Sequence, residues 1–330
     1  MSAPTLSPPS SSAPESVSPA RTSFEDAQET LKQTRLDTKL LNSISMADEA
    51  LVLEALADGA DIQAENNKPL TMAIHCGAAH IVQLLLDHGA KMNAPDEEGR
   101  IPILLAVKKS NLIVTKILTE HGAYVNASDK DGMTPLHSAA TQGDNMLVRY
   151  LVQHGAKKDA QSLAKRRTPL HCAALFGKVE VVESLIDAGC DIEAKDYESE
   201  TALFTACWSP KPGDYQCVKL LLERGAKLEV RRSDKPGPGM RWHDGETVLH
   251  VAARFDLGDV VELLLEKGAD AYARNRLGET AMDLAVFHGK KKAVAALPGD
   301  SRSTRTRRTT NGIGELLLDA RLGIGKLLSS

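Results

Sequence analysis

An all-α solenoid of repeated helix pairs is the fold class this sequence predicts, and two periodicities in fixed phase predict it. Gly followed by Ala or Cys recurs at Gly59, Gly89, Gly122, Gly155, Gly189, Gly225 and Gly268, in steps of 30, 33, 33, 34, 36 and 43 residues. A period near 33 marks an array whose units bury their apolar faces by stacking on one another. The second signature stands 21 residues before Gly155, Gly189 and Gly268: Thr134-Pro135-Leu136-His137, Thr168-Pro169-Leu170-His171 and Thr247-Val248-Leu249-His250.

Each element follows from its residues. Thr ahead of a helix accepts a hydrogen bond from an otherwise orphan N–H, and Pro at the first helical position sacrifices no intrahelical bond. Leu136, Ala139 and Ala140, then Leu147, Tyr150, Leu151 and Val152 beyond Gly143, recur at helical spacing and predict a helical pair. Gly155 then suits the left-handed position past a helix end. Weaker copies open at Thr38, Lys68, Ile101 and Thr201, and a last, incomplete one opens at Thr280, giving eight repeats. Lys290, Lys291 and Lys292 make the final helix polar, as a capping repeat requires.

With these residues in view, the chain resembles the ankyrin repeat over residues 38–297. The resemblance implies an all-α solenoid of stacked helix-turn-helix repeats joined by short β-hairpin loops. It also implies a non-catalytic scaffold that binds a protein partner through the concave face and loop tips, here of repeats five to eight. Substrate recruitment within a larger enzyme assembly, a ubiquitin ligase or kinase complex, is the alternative, although neither tail carries a convincing adaptor-box sequence.

Composition changes outside the array. Residues 1–20 hold seven Ser, five Pro and one charge, Glu15, a mixture that cannot offset the entropy of ordering, so residues 1–22 are expected to be a disordered tail. Phe24, Ala27, Leu31 and Leu36 predict a short helical lead-in over 23–37. From 298 to 330 a basic linker with Arg302, Arg305, Arg307 and Arg308 leads to a weakly amphipathic tail; the linker leaves an import patch or a kinase recognition stretch open. No secretory signal and no span of eighteen apolar residues is read, so a soluble cytoplasmic protein, with nuclear entry left open, is expected, as is a monomer without membrane contact. The net charge is -4, and a mainly acidic body argues against a nucleic-acid partner.

Chemistry finds little footing. Five cysteines, none in a C-x-x-C pair, read as structural thiols, and neither a metal nor a cofactor is expected. His137, His171 and His250 belong to the opening signature, where the resemblance implies local hydrogen bonds that tie repeats together. His88, His121 and His154 precede the closing Gly and read as solvated helix ends. H-E-x-x-H, G-x-S-x-G and a phosphate-binding loop are all missing, so no enzymatic activity is expected.

Binding residues stand out instead. Phe176, Trp208, Phe255 and Phe287 follow the small pair of the first helix in four consecutive repeats of a chain with twelve aromatics. Tyr197 lies on a loop tip, Arg254 precedes Phe255, and Arg167, Glu200, Glu246 and Glu279 are expected to set orientation. Packing against the next repeat is the competing reading for these aromatics. Gly225 and Thr247 are 22 positions apart, against 12 or 13 in most repeats, so a Pro- and Gly-rich finger carrying Arg241 and Trp242 is expected beside the concave face. A smaller insertion falls at residues 209–213.

Overall fold

The computed structural model describes residues 19–208, 214–232 and 245–299. Residues 233–244, which hold most of the sequence-predicted finger with Arg241 and Trp242, the smaller insertion at 209–213, most of the N-terminal tail and the C-terminal segment from residue 300 lie outside the described residues.

Among the described residues sixteen helices form eight pairs and no strand occurs: α1 Pro19–Ser45, α2 Glu49–Ala57, α3 Ala64–Cys76, α4 Ala79–Asp87, α5 Pro102–Lys108, α6 Leu112–Glu120, α7 Pro135–Gln142, α8 Asn145–Gln153, α9 Pro169–Leu175, α10 Val179–Asp187, α11 Ala202–Ala206, α12 Asp214–Glu223, α13 Val248–Arg254, α14 Gly258–Glu266, α15 Ala281–Phe287 and α16 Lys291–Ala296. None of them is long and apolar enough to cross a membrane. Two compact units result, Met1–Ala139 with Arg149–Ala156 and Ala140–Val148 with Lys157–Ser330.

The sequence motifs explain the helix ends. In α9 and α13 the Thr and His of the opening signature make a reciprocal cap. The His171 Nδ1 accepts from the Thr168 N–H at 3.2 Å and the Thr168 hydroxyl at 2.8 Å, and His250 does the same with Thr247 at 3.2 and 2.9 Å. That fixes the tautomer, and the remaining Nε2–H donates to the next loop, His171 to the Glu200 carbonyl (2.9 Å) and His250 to that of Glu279 (3.1 Å). α15 carries Asp283 in the same slot, capping Thr280 without a ring proton to place. The closing glycine works as read: Gly89 has φ +91°, and the following Ala90 N–H reaches back to the Leu85 carbonyl at 2.9 Å. The preceding histidines are more than solvated ends. In each of His88, His121 and His154 the Nδ1 lies 2.8 Å from the carbonyl four residues earlier and donates to it.

Two elements differ from expectation. α1 runs unbroken across the boundary read at residue 37, because Thr30, Thr34 and Thr38 turn their hydroxyls onto the carbonyls four residues earlier and neither Pro nor Gly interrupts the run after Pro19. The loops fold back as hairpins without forming strands. Backbone bonds such as Asp96 N to Arg100 O (3.1 Å) with Gly99 N to Asp96 O (2.9 Å), and Asp196 N to Glu200 O (2.9 Å) with Ser199 N to Asp196 O (3.1 Å), close them, and the Asp side chains accept the N–H groups two and four residues on.

Both cores are mainly aliphatic, with Phe204 a fully buried aromatic in the second unit. Leu40, Ile44, Leu70, Ile74, Ile81, Leu85 and Ile103 are fully buried in the first unit, and Val181, Leu185, Leu221, Val251 and Leu264 in the second. Each such side chain stabilises its unit by about 1.5–3 kcal/mol.

A candidate protein-interaction surface in the second unit

The residue immediately before each helix pair organises the polar side of the second unit. Glu200 and Glu246 precede Thr201 and Thr247 and are fully buried, which corrects their reading as partner-facing charges. The hairpin turns them inward onto arginines. Arg232 places Nε 2.6 Å from Glu200 Oε1 and a terminal nitrogen on Glu198, while Arg254 pairs with Glu246. Trp208, just past α11, donates its indole N–H to Glu200 Oε1 at 3.2 Å. The Arg232 guanidinium lies 4.9 Å from the Trp208 ring centroid, and the Phe255 ring lies 5.5 Å away, tilted by 53°.

Desolvation governs the charges here. Burial and the neighbouring Asp196 carboxylate push Glu200 up to about 8, against the downward pull of Arg167 and the Trp208 N–H. Asp196 is also raised by burial, although Arg167 Nε stands 3.7 Å from its Oδ2. Burial and the like charge of Arg232 bring Arg254 down to about 10. His171 and His250 are lowered by burial, in keeping with their neutral bonding pattern. Cys172, Cys190, Cys207 and Cys217 are buried, and burial pushes the Cys190 thiol up to about 12, which makes it a poor nucleophile. The chemistry of this arrangement is that of a partly covered aromatic and ionic surface.

Models of tandem ankyrin repeats match residues 28–129, 93–162, 147–232 and 240–285, most of the chain. The chain belongs to the ankyrin repeat family. Relatives include the human B-cell lymphoma 3 protein, 37% identical over 109 residues (32% of this chain, 21% of that protein). NF-kappa-B inhibitor alpha of Sus scrofa is 31% identical over 117 residues, 33% of this chain and 32% of the relative. Ankyrin repeat and SOCS box protein 11 of Danio rerio is 38% identical over 117 residues, 36% and 35% of the two chains. This chain therefore spans about a fifth to a third of the length of these curated relatives. The crystal structure of the human ASB11 ankyrin repeat domain aligns with a TM-score of 0.59 at 28% identity, covering 71% of this chain and 99% of that one. The fold is accordingly an all-α ankyrin solenoid, and ankyrin repeats bind proteins.

Within these ankyrin repeats the expected site residues separate into groups. Trp208 and Phe255 come together, joined by Arg232. Phe176, the C-cap of α9, is half-buried. Arg254 is turned toward Glu246 and Arg167 toward Asp196. Tyr197 is exposed on its loop tip, its N–H bonded to the Lys165 carbonyl at 2.9 Å. Phe287 at the end of α15 is exposed and meets His288 edge-on at 5.0 Å. Arg241 and Trp242 lie outside the described residues.

Arg232 is a residue of this cluster that the sequence reading does not single out. Its signal was register. Asp96, Asp129, Asp196 and Asn275 begin the equivalent loops and hold them with their side chains, whereas Arg232, whose N–H still bonds the Glu246 carbonyl at 3.0 Å, sends its side chain to the preceding loop.

Proposed function

We propose that this chain is a non-catalytic interaction scaffold that binds a protein partner through the concave face and loop tips of repeats five to eight. The observation that carries this reading is the Trp208, Phe255 and Arg232 cluster, in which a half-buried indole is held by an aromatic ring and a desolvated guanidinium. Trp, Tyr and Arg in such partly covered settings dominate binding energy at interfaces. Phe176, Tyr197, Arg167, Arg254, Phe287, Arg241 and Trp242 complete the proposed surface. Charged rim residues would set orientation and association rate. The same reading makes the chain a monomer of the cytoplasm or nucleus with no nucleic-acid partner.

Affinity capture with the intact chain, followed by titration of the captured protein, tests this. Trp208→Ala and Trp242→Ala should each weaken binding by about 1–4 kcal/mol. Normal binding by both variants, or losses that only track unfolding, would sink the assignment. A second reading, a substrate-recruiting subunit of a ubiquitin ligase or kinase complex, draws on the likeness to the ankyrin repeat and SOCS box proteins. Stoichiometric co-purification of a ligase or kinase subunit would favour it.

A further inference from the structure

From α5 onward, the position two residues before the capping residue that opens each helix pair is left-handed. Gly99, Gly132, Gly245 and Gly278 fill it with φ between +72° and +76°, but Arg166 occupies it at φ +52° and Ser199 at +60°. An arginine in a conformation that favours glycine carries local strain that a glycine would not.

Arg166 is exposed, and its Nε–H donates to Gln161 Oε1 at 3.0 Å. The Nε2 of the same Gln161 donates to the Lys195 carbonyl at 3.2 Å, lacing this loop to the next. A second lace runs from the Tyr197 N–H to the Lys165 carbonyl. Two large apolar side chains therefore stand on adjacent tips, Leu163 at 73% exposure and Tyr197 at 57%. Their charge is sorted. Asp196 and Glu200 face inward, and Glu198 is engaged by Lys165 (3.3 Å) and Arg232, whereas the exposed Arg166 and Lys195 have no carboxylate within ion-pair distance among the described residues. At the two tips the acids are engaged within the protein while Arg166 and Lys195 are left outward beside exposed apolar groups; the exposed Asp159 and Asp191 stand earlier in the same loops, where each caps a backbone N–H.

We propose that Leu163, Arg166, Lys195 and Tyr197 form a docking surface for an acidic segment of a partner protein that also carries leucine or aromatic side chains. Carboxylates would meet Arg166 and Lys195, and the apolar side chains would cover Leu163 and Tyr197. A polynucleotide fits less well, because two cations neutralise few phosphates and neither apolar tip would be satisfied. The proposal rests on the reading of the chain as an interaction module and extends the proposed surface, which already includes Tyr197, to loop-tip residues beyond the Trp208 cluster.

The test uses the full chain and a charge-balanced display library of short random peptides. Selected peptides are titrated by fluorescence anisotropy against the wild type and against the variants Arg166→Glu/Lys195→Glu, Leu163→Ser/Tyr197→Ser, Arg166→Gly and Trp208→Ala. Enrichment of acidic peptides bearing leucine or aromatic residues is expected, with affinity falling about tenfold or more in both double variants and with rising salt. Arg166→Gly should also weaken binding, and since glycine suits this backbone, misfolding cannot explain that loss. Neutral or basic selected peptides, an empty selection, unchanged binding by the double variants, or equal competition by single-stranded DNA would each overturn the proposal. Loss confined to Trp208→Ala would refute this surface while leaving the Trp208 interface intact, and indifference to every variant would refute both.

Discussion

In the first unit Lys39 meets Glu54 and Asp58 at 2.8 and 2.7 Å with all three side chains at least 36% exposed, whereas in the second Arg232 and Glu200 meet at 2.6 Å with 5% and 2% exposed. The distances are alike and the physics is not. Water screens the first group, so its loss should barely register. Arg232, Glu200, Arg254 and Glu246 have been taken out of water, and each half of those pairs depends on the other. The two units share mainly aliphatic cores and hairpin geometry; among the described residues the second alone buries both partners of an ion pair, beside the same Trp208 that is the proposed binding anchor.

Removing one partner of a buried pair breaks that comparison most sharply. Glu246→Ala should cost about 3–5 kcal/mol, because it strands the Arg254 guanidinium in a desolvated site. Denaturant unfolding beside Glu54→Ala, expected to be near silent, is the measurement. Equal shifts in the two variants would mean that burial does not distinguish the units. Trp208→Ala should also lower stability, since the indole holds Glu200 and packs on Phe255, so its binding loss must be corrected for unfolding.

Core truncation should show where the units agree. Leu70→Ala and Leu136→Ala in the first and Leu185→Ala in the second remove side chains that are 0–1% exposed, and each should cost about 2–5 kcal/mol through the cavity left behind. A systematic difference would show that one core relaxes around voids better than the other.

Such core positions were legible in the sequence because helical periodicity and the closing glycines fix the phase of every pair. The opening threonines and histidines were legible for the same reason, and α9 and α13 carry their caps as the motif required. Charge placement was not. Glu200 and Glu246 carry no local mark of burial: whether the residue before Thr faces water depends on what the neighbouring loop offers, and Arg232 arrives from an adjacent repeat. Thr38 misled for a different reason, because a threonine caps a helix only where the chain turns, and within α1 its hydroxyl back-bonds to Thr34.

Mild acid separates the units with a smaller effect. The Ile117 carbonyl and Asp87, 3.2 Å from Nε2, hold His121 in the first unit above its ordinary range. A raised folded pKa contributes stability fully below the unfolded value near 6.5, lost as pH rises through the folded one. His171 and His250 in the second unit are lowered by burial, so their contribution is full above 6.5 and is lost as pH falls toward and through the folded values. Glu200, raised to about 8, adds an opposing slope, favouring the folded second unit as pH falls from 8. Site-resolved imidazole titration by NMR isolates the histidines. His121 should titrate above 6.5 and both buried rings below it; any reversed order contradicts the hydrogen-bonding pattern.

The smallest effect concerns the loops and carries a sign that decides between strain and its absence. Gly99 in the first unit and Arg166 in the second occupy the same left-handed step of their hairpins, at φ +73° and +52°. A side chain there costs about 1–2 kcal/mol relative to glycine in the folded state. Glycine in turn enlarges the entropy of the unfolded chain, which offsets about 0.4–1 kcal/mol. Arg166→Gly should therefore raise stability by about 0–1.6 kcal/mol, slightly less the loss of the Gln161 contact. Gly99→Arg should lower it by a similar amount, because a Cβ there meets only the end of Lys130 at an ordinary 3.5 Å and strain is the only added cost. Thermal melts of both variants check this. If Arg166→Gly instead destabilises beyond about 1 kcal/mol, the arginine is held by folded-state contacts that outweigh the strain of its left-handed backbone.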